Sequence, residues 1–517
     1  MAFFLPQPLI VTLALLVPLC LYMNHSRRTS KTPSPPTNWP VVGMLPALMY
    51  NLHNLQDYVA GVLAVTGGSC PANGPQASSM RFLFTCDPAN IRHIFTTNIA
   101  NYPKGEEFTE IFDIMRGSFT TVDGEPCRRQ RRKIQGILSD PRMVSVMASS
   151  SRHKVAKGLV PFLAGMASTG APFDLQDVIA RLVFDLTAMP IFSVDPGLLS
   201  PDMPPADAPA AMDTVMEGAL LRHTVPASCW QLMRRLNLGP ERRLAAAHSV
   251  LHQFVADMIE RRKAYRADLP DAAAAVDIMS SYIGDPDYDD SLLRATLNNY
   301  MIAGRDTIAS SLPWFFYNLA SNPHVVAGIR KELAAVVCSG KHASLVSDGT
   351  GGTAVIFEPE ETKSLIYLQA ALFESLRLYP PGPIERKTVV ADDVMPSGHE
   401  VHAGDAILIS LYALGRMVTV WGEDCHEYRP DRWLTDGGAK LRYVPSHKFL
   451  AFNSGPRMCL GKDIAIMHMK TIAAAVVWNF DMEVLEGQSM KPKMSCLLQM
   501  KNGLMVTVNR REECSLK

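Results

Sequence analysis

"FNSGPRMCLG", Phe452 to Gly461, decides how the rest of the chain is read. It sets Cys459 in a loop shaped by Gly455, Pro456 and Gly461, just ahead of a helical pattern. A cysteine taken alone is ordinarily one more small hydrophobe. The ten cysteines run from Cys20 to Cys514 with no CxxC pair and no zinc-spaced Cys/His set, which removes the usual structural-zinc reading. In a chain of 517 residues they do not form a disulfide framework either, so the main body is expected in a reducing compartment. Cys459 therefore needs another explanation.

Composition narrows the field. With 50 basic and 50 acidic residues, no bulk charge argues for nucleic acid, and 47% hydrophobic residues suit one large globular body. The exception is the start. "FFLPQPLIVTLALLVPLCLYM", Phe3 to Met23, is an uncharged apolar run of bilayer-spanning length, followed by Arg27 and Arg28. Residues 1–25 are expected to be an uncleaved membrane anchor with the body on the cytosolic face, since a signal peptide wants a charged start and a shorter apolar core. Pro33, Pro35, Pro36 and Pro40 make residues 26–46 a basic, semi-rigid hinge, and residues 47–517 the globular domain.

Within that domain the pattern is mostly helical, as in "DLQDVIARLVFDLTAMPIF", "SVLHQFVADMIERRKAYRA" and "LLRATLNNYMIAG". Strand patterns are few: "SMRFLFT", "DAILISLYAL" and "GLMVTVNR". "SGKHASLVSDGTGGTAV", Ser339 to Val355, reads as an exposed insertion between helices.

Four further stretches carry chemistry. "IAGRDTIAS" places Gly304, Asp306 and Thr307 in mid-helix, where they cost helix stability, and a local opening there would admit a small ligand and a proton relay. In "FESLRLYPPGP", Glu374 and Arg377 lie one turn apart. "EYRPDRW" adds Arg432, and a carboxylate shared by two guanidinium groups would clamp a loop to a helix. In "DGEPCRRQRRK", Arg128, Arg129, Arg131, Arg132 and Lys133 cannot all face one way on a helix. One can turn inward to a buried anion while the rest form a cationic surface.

In the chain order basic helix, AGRDT, ExxR, then FxxGxRxCxG, the stretches resemble the haem-thiolate monooxygenases, the cytochrome P-450 superfamily, over essentially the full length. Phe452, Gly455, Arg457, Cys459 and Gly461 fill the defined positions of that family's signature. The resemblance implies a mainly α fold with small β-sheets, preceded by one membrane-anchor helix. It implies haem b with Cys459 as axial iron ligand, Arg131 and Arg457 pairing with propionates, and Gly461 letting the next helix pack close. Asp306 and Thr307 match the acid–alcohol pair that guides protons to oxygen, and Ala303 and Gly304 would line the distal face. Glu374, Arg377 and Arg432 match a structural triad. Electrons would come from a membrane-bound, NADPH-dependent flavoprotein reductase, for which the exposed arginines offer contacts. The catalytic domain would face the cytosol from the endoplasmic reticulum membrane.

The sequence departs from the family at Cys127, where tryptophan is usual four residues before the propionate arginine. A thiol is a much weaker donor than an indole. Ile308, Tyr428 and Trp433 are milder departures. The text around the signature is similar to the plant clan that hydroxylates fatty acids and long-chain alkanes, most of all to its mid-chain alkane branch, which also contains phenol-coupling enzymes of alkaloid biosynthesis. The family's first pocket-lining region maps to Phe108, Ile111, Phe112, Met115 and Phe119, an apolar set suited to a hydrophobic substrate reached from membrane lipid. A reductase-independent isomerase or a non-enzymatic haem binder fits less well, because neither needs the intact Asp306–Thr307 pair.

Overall fold

The computed structural model describes residues 38–76, 78, 80–268, 276–338, 343–435 and 437–511. The expected anchor over 1–25 and the hinge up to residue 37 lie outside the described residues. Among the described residues no helix is long and apolar enough to cross a membrane.

Seven helices position the site: α1 (Gly124–Ser139), α2 (Leu175–Phe192), α3 (Asp207–Thr224), α4 (Gly239–Asp268), α5 (Asp290–Ala320), α6 (Ile366–Leu378) and α7 (Lys462–Asn479). The longer strands are β1 (Ser69–Asn73), β2 (Arg81–Thr85), β3 (Ala343–Ser347), β4 (Thr353–Phe357), β5 (Ile384–Thr388), β6 (Ala406–Ser410), β7 (Phe480–Val484) and β8 (Met505–Arg510).

Helix α5 is the axis of the molecule. Asp289 caps it by accepting from the Leu292 N–H at 2.7 Å, and it runs 31 residues without interruption through Pro313. The expected opening near Gly304 is not seen as a break in the helix. Leu312, Phe315 and Leu319 of α5 join Leu182, Leu186, Leu372, Ile472 and Val476 of α2, α6 and α7 in the largest core cluster.

A four-stranded sheet, ordered β1-β2-β6-β5, joins the amino-terminal hairpin to late strands. Strands β2 and β6 run parallel while the outer pairs are antiparallel. Strands β2, β6 and β8 coincide with the three strand patterns, whereas β1 and β5 were not legible. Pro71 disguises β1 as a turn, and β5 reads Ile-Glu-Arg-Lys-Thr, too charged to look like a buried strand.

The described part of the Ser339–Val355 segment lies between helices and is largely exposed, as expected, and it is more ordered than a loop. It holds a strand, β3, which pairs with β4 from Ala343↔Phe357 to Ser347↔Thr353. Asp348 organises the turn by accepting from the Thr350 and Gly352 N–H groups, both at 2.9 Å. Asn479 at the end of α7 bonds both the N–H and the C=O of Val355 at 2.8 Å, standing in for another strand.

Candidate active site

The thiol loop is closed by its own backbone. The Cys459 N–H donates to the Phe452 carbonyl at 2.8 Å, and Met458 N–H to Gly455 O at 3.0 Å. Gly455 has φ +58°, and a Cβ there would stand 2.2 Å from the Phe95 carbonyl, so only glycine lets this turn meet the neighbouring segment. Gly461 differs from expectation: a Cβ there would touch nothing within 4 Å, so close helix packing does not demand glycine at that position. What Gly461 supplies is its N–H, which bonds the Cys459 sulfur. Phe452 packs on Phe373 at 6.1 Å and Phe449 at 6.3 Å between ring centres, and Lys462 Nζ lies 5.5 Å from its ring.

Cys459 is accessible, whereas Cys127 and Cys425 are buried. The accessibility is that of a recess, because surrounding protein still pushes the Cys459 thiol pKa up, with the Gly461 N–H and the Arg131 and Lys462 charges pulling it down.

Arg131 is the member of the α1 basic run that turns to this loop, donating to the Met458 carbonyl at 2.5 Å. Its neighbours pair locally. Arg128 and Arg132 share Glu125, Arg129 reaches Asp287, and Lys133 bonds Asp285 beside the Tyr282 and Tyr288 rings. The cationic surface is thus largely neutralised by its own acids.

Arg457 donates to the carbonyls of Phe119 at 3.2 Å and Val122 at 2.6 Å and to Asp123 at 2.5 Å. The Cys127 thiol, 3.7 Å from the same Phe119 carbonyl, is raised in pKa by burial and stays neutral. A third cation, Lys387 on β5, was missed by sequence reasoning. It is buried, its Nζ 3.4 Å from Glu385 and 4.8 Å from the Phe95 ring centre, and burial lowers its pKa to about 8. Its positive charge is felt at Cys127.

On α5, Ala303 and Thr307 are the accessible positions one turn apart, among buried Ile302, Arg305, Asp306 and Ile308. The Thr307 hydroxyl donates to the Ala303 carbonyl at 3.0 Å. Gly304 is only half-buried, and a Cβ there would meet Thr187 Cγ2 at 2.7 Å. Its role is therefore close approach of α2 to α5, a correction to the distal-face expectation.

The Asp306 carboxyl accepts from Arg305 Nη1 at 2.8 Å, and the same nitrogen reaches Asp213 of α3 at 2.6 Å. Asp306 Oδ2 and Arg305 Nε are buried with no hydrogen-bond partner. Burial raises the Asp306 pKa to about 6 despite the guanidinium beside it.

The clamp is present and larger than expected. Arg377 holds Glu374 with two bonds of 2.8 and 2.7 Å and also donates to the carbonyls of Gly415, Cys425 (2.6 Å) and Glu427 (2.9 Å). Arg432 Nε reaches Glu374 at 3.3 Å, while the Trp433 indole and the Arg429 N–H donate to it at 2.8 and 3.0 Å. Trp433 could have been read from sequence, because a buried indole N–H needs an acceptor.

Phe108 and Phe112 line a cavity of about 250 Å³ between the four-stranded sheet and α3. Ile111 and Met115 do not wall that cavity. The turn at Asp113–Met115 buries Met115 in the helical core, and Ile111 is buried with its carbonyl accepting from Arg222 at 3.1 Å. Phe119 packs on Tyr300 with ring centres 5.6 Å apart. The rest of the cavity lining, including Met216, Ile384 and Leu497, comes from segments that sequence reasoning did not single out.

An accessible thiol backed by an amide, a methyl and hydroxyl strip on α5, and the cations Arg131, Arg457 and Lys387 fit a haem with a cysteine ligand. The fit is tightest at Cys459 and least free at Arg457, which Asp123 already holds. This arrangement defines the class, a haem-thiolate oxidoreductase. The family model described as Cytochrome P450 matches residues 33–508, and the chain belongs to that family as a monooxygenase.

Noroxomaritidine synthase 2 of Narcissus aff. pseudonarcissus MK-2014 is 38% identical over 94% of this chain and 93% of its own length. Alkane hydroxylase MAH1 of Arabidopsis thaliana is 37% identical over 92% and 93%. Cytochrome P450 86B1 of the same plant is 35% identical over 96% and 90%.

Proposed function

We propose that this monooxygenase hydroxylates an unactivated C–H bond of a long-chain aliphatic substrate, an alkane or fatty acid, with O2 and with electrons from an NADPH-dependent flavoprotein reductase at the endoplasmic reticulum membrane. The observation that carries the aliphatic reading is the cavity behind Phe108 and Phe112, walled mainly by apolar side chains. The likeness to an alkane hydroxylase supports it. A second reading, oxidative phenol coupling, is favoured by the likeness to noroxomaritidine synthase 2.

Cys459 would hold the haem iron, with Arg131, Arg457 and Lys387 as the cations available to its propionates. When bound, haem supplies the activation of O2 and the insertion of one oxygen atom into a C–H bond. The chain's own residues do the rest. The Gly461 N–H and the Arg131 charge favour the thiolate form of Cys459. Thr307 presents its hydroxyl oxygen on the accessible face of α5, and Asp306 one residue earlier can carry a proton on Oδ2 near neutral pH. The apolar wall excludes water from the substrate.

The test is a competition. The reductase-reconstituted enzyme receives an alkane, a fatty acid and a phenolic amine together with NADPH, and products are identified by mass. Hydroxylated aliphatic product is expected. Coupled phenol alone would establish the second reading, and product formed without NADPH or reductase would overturn both.

A further inference from the structure

Strand β5 places charge where an apolar cavity would not need it. Alternation sends Ile384 and Arg386 to one face of β5 and Glu385 and Lys387 to the other. Arg386 lies opposite Leu408 in the sheet register and its guanidinium is 5.9 Å from the centre of the Phe82 ring. Phe82, Leu408 and Arg386 line the same 250 Å³ cavity as Met44, Phe84 and Phe108.

A cationic donor of that lining is incompletely met. Arg386 is buried, its guanidinium bonds Glu107, and its Nε–H has no acceptor. Leaving such a donor unmet in a buried site is costly, and a ligand acceptor that took it would recover that cost.

The local charge selects the ligand's sign. In the lining Lys104 is paired with Glu385, and Arg386 is paired with the half-exposed Glu107, so the free Nε–H of Arg386 is a donor carried on a cation. His223, also in the lining, is neutral: burial drives its pKa to about 3, and the Arg386 and Lys104 charges add to that effect. An acceptor-only anion suits this end of the cavity, and an ammonium group does not.

From these contacts we infer that Arg386 is a specificity-determining anchor for the carboxylate of a long-chain acid whose hydrocarbon lies along the apolar wall. The inference rests on the aliphatic reading proposed above and narrows it from alkane to acid.

Dodecanoate, its methyl ester, dodecane and dodecylamine are titrated into the haem-loaded full-length protein, following the spin-state change of the haem. Dodecanoate is expected to bind about tenfold or more tightly than the ester or the amine. Arg386→Leu should reduce dodecanoate to the affinity of the ester while the ester is unchanged, and Arg386→Lys should restore part of the preference. Glu107→Gln, at a half-exposed partner, frees the guanidinium without deleting it and should tighten dodecanoate alone; it carries the test should Arg386→Leu not fold.

Equal binding of acid and ester by the wild type, or equal weakening of both by Arg386→Leu, would overturn the anchor and leave the aliphatic reading standing. Binding and coupling of a phenolic amine with no response to any of the four aliphatic ligands would overturn the aliphatic reading, and the anchor with it.

Discussion

Two of the buried carboxylate–guanidinium pairs among the described residues are built to opposite ends. At Glu374 and Arg377 both side chains are fully inaccessible and saturated, by Trp433, Arg429, Arg432 and three backbone carbonyls. At Asp306 and Arg305 burial is almost as complete, yet each partner keeps one unmet atom, Oδ2 and Nε. A saturated network holds α6 to the loop beyond it and has no reason to move a proton. An unsaturated one retains a carboxyl that exchanges a proton near pH 6. The two pairs differ in saturation and hardly at all in burial.

Breaking the saturated pair should have the largest effect. Arg377→Ala removes the bidentate partner of Glu374 and the donor to three buried carbonyls, a loss of about 3–5 kcal/mol against a typical total of about 5–15, so little folded protein should be recovered. Denaturant unfolding of any soluble fraction checks this, and a wild-type midpoint would equate the two pairs.

Asp306→Asn should act in the other currency. Turnover is expected to fall by about a hundredfold or more while haem and fold are kept. Stability should respond to pH with a definite sign. The folded pKa of Asp306, about 6, lies above its ordinary value of 3.8. The folded state therefore binds the extra proton between these values, so this group's contribution falls as pH rises from about 4 to 6, and Asp306→Asn removes that slope. Urea midpoints across the window measure it.

Thr307→Ala should keep haem and fold while a larger share of electrons appears as peroxide, measured as NADPH consumed per product. Full coupling would remove Thr307 from the proton path. Trp433→Phe deletes one of the donors to Glu374 and should cost about 1–3 kcal/mol in a denaturant midpoint. Smallest is Arg128→Ala, an exposed pair with Glu125, expected within about 1 kcal/mol by the same measurement.

How far the sequence revealed these pairs follows from their locality. Glu374–Arg377 and Asp306–Thr307 are close in sequence and sit in helical patterns, so spacing singled them out and the family resemblance gave them roles. The Cys459 loop was legible because its glycines are local too. Long-range partners were not: Asp213 reaches Arg305 from another helix, and Asp123 holds Arg457 across 334 residues. Strand β5 was hidden for a related reason. Its charges are buried only because Lys104 and Glu107, nearly 280 residues earlier, meet them, and no periodicity within five residues reports that. Gly304 was assigned to the ligand and in fact faces Thr187, since a single sequence does not say which neighbour a glycine admits.

The most direct test of the account is the carbon monoxide difference spectrum of the reduced, haem-loaded protein. The strongly red-shifted band of thiolate ligation should appear in the wild type and vanish in Cys459→Ser with folded protein retained. An unchanged band in Cys459→Ser would mean that another residue holds the iron.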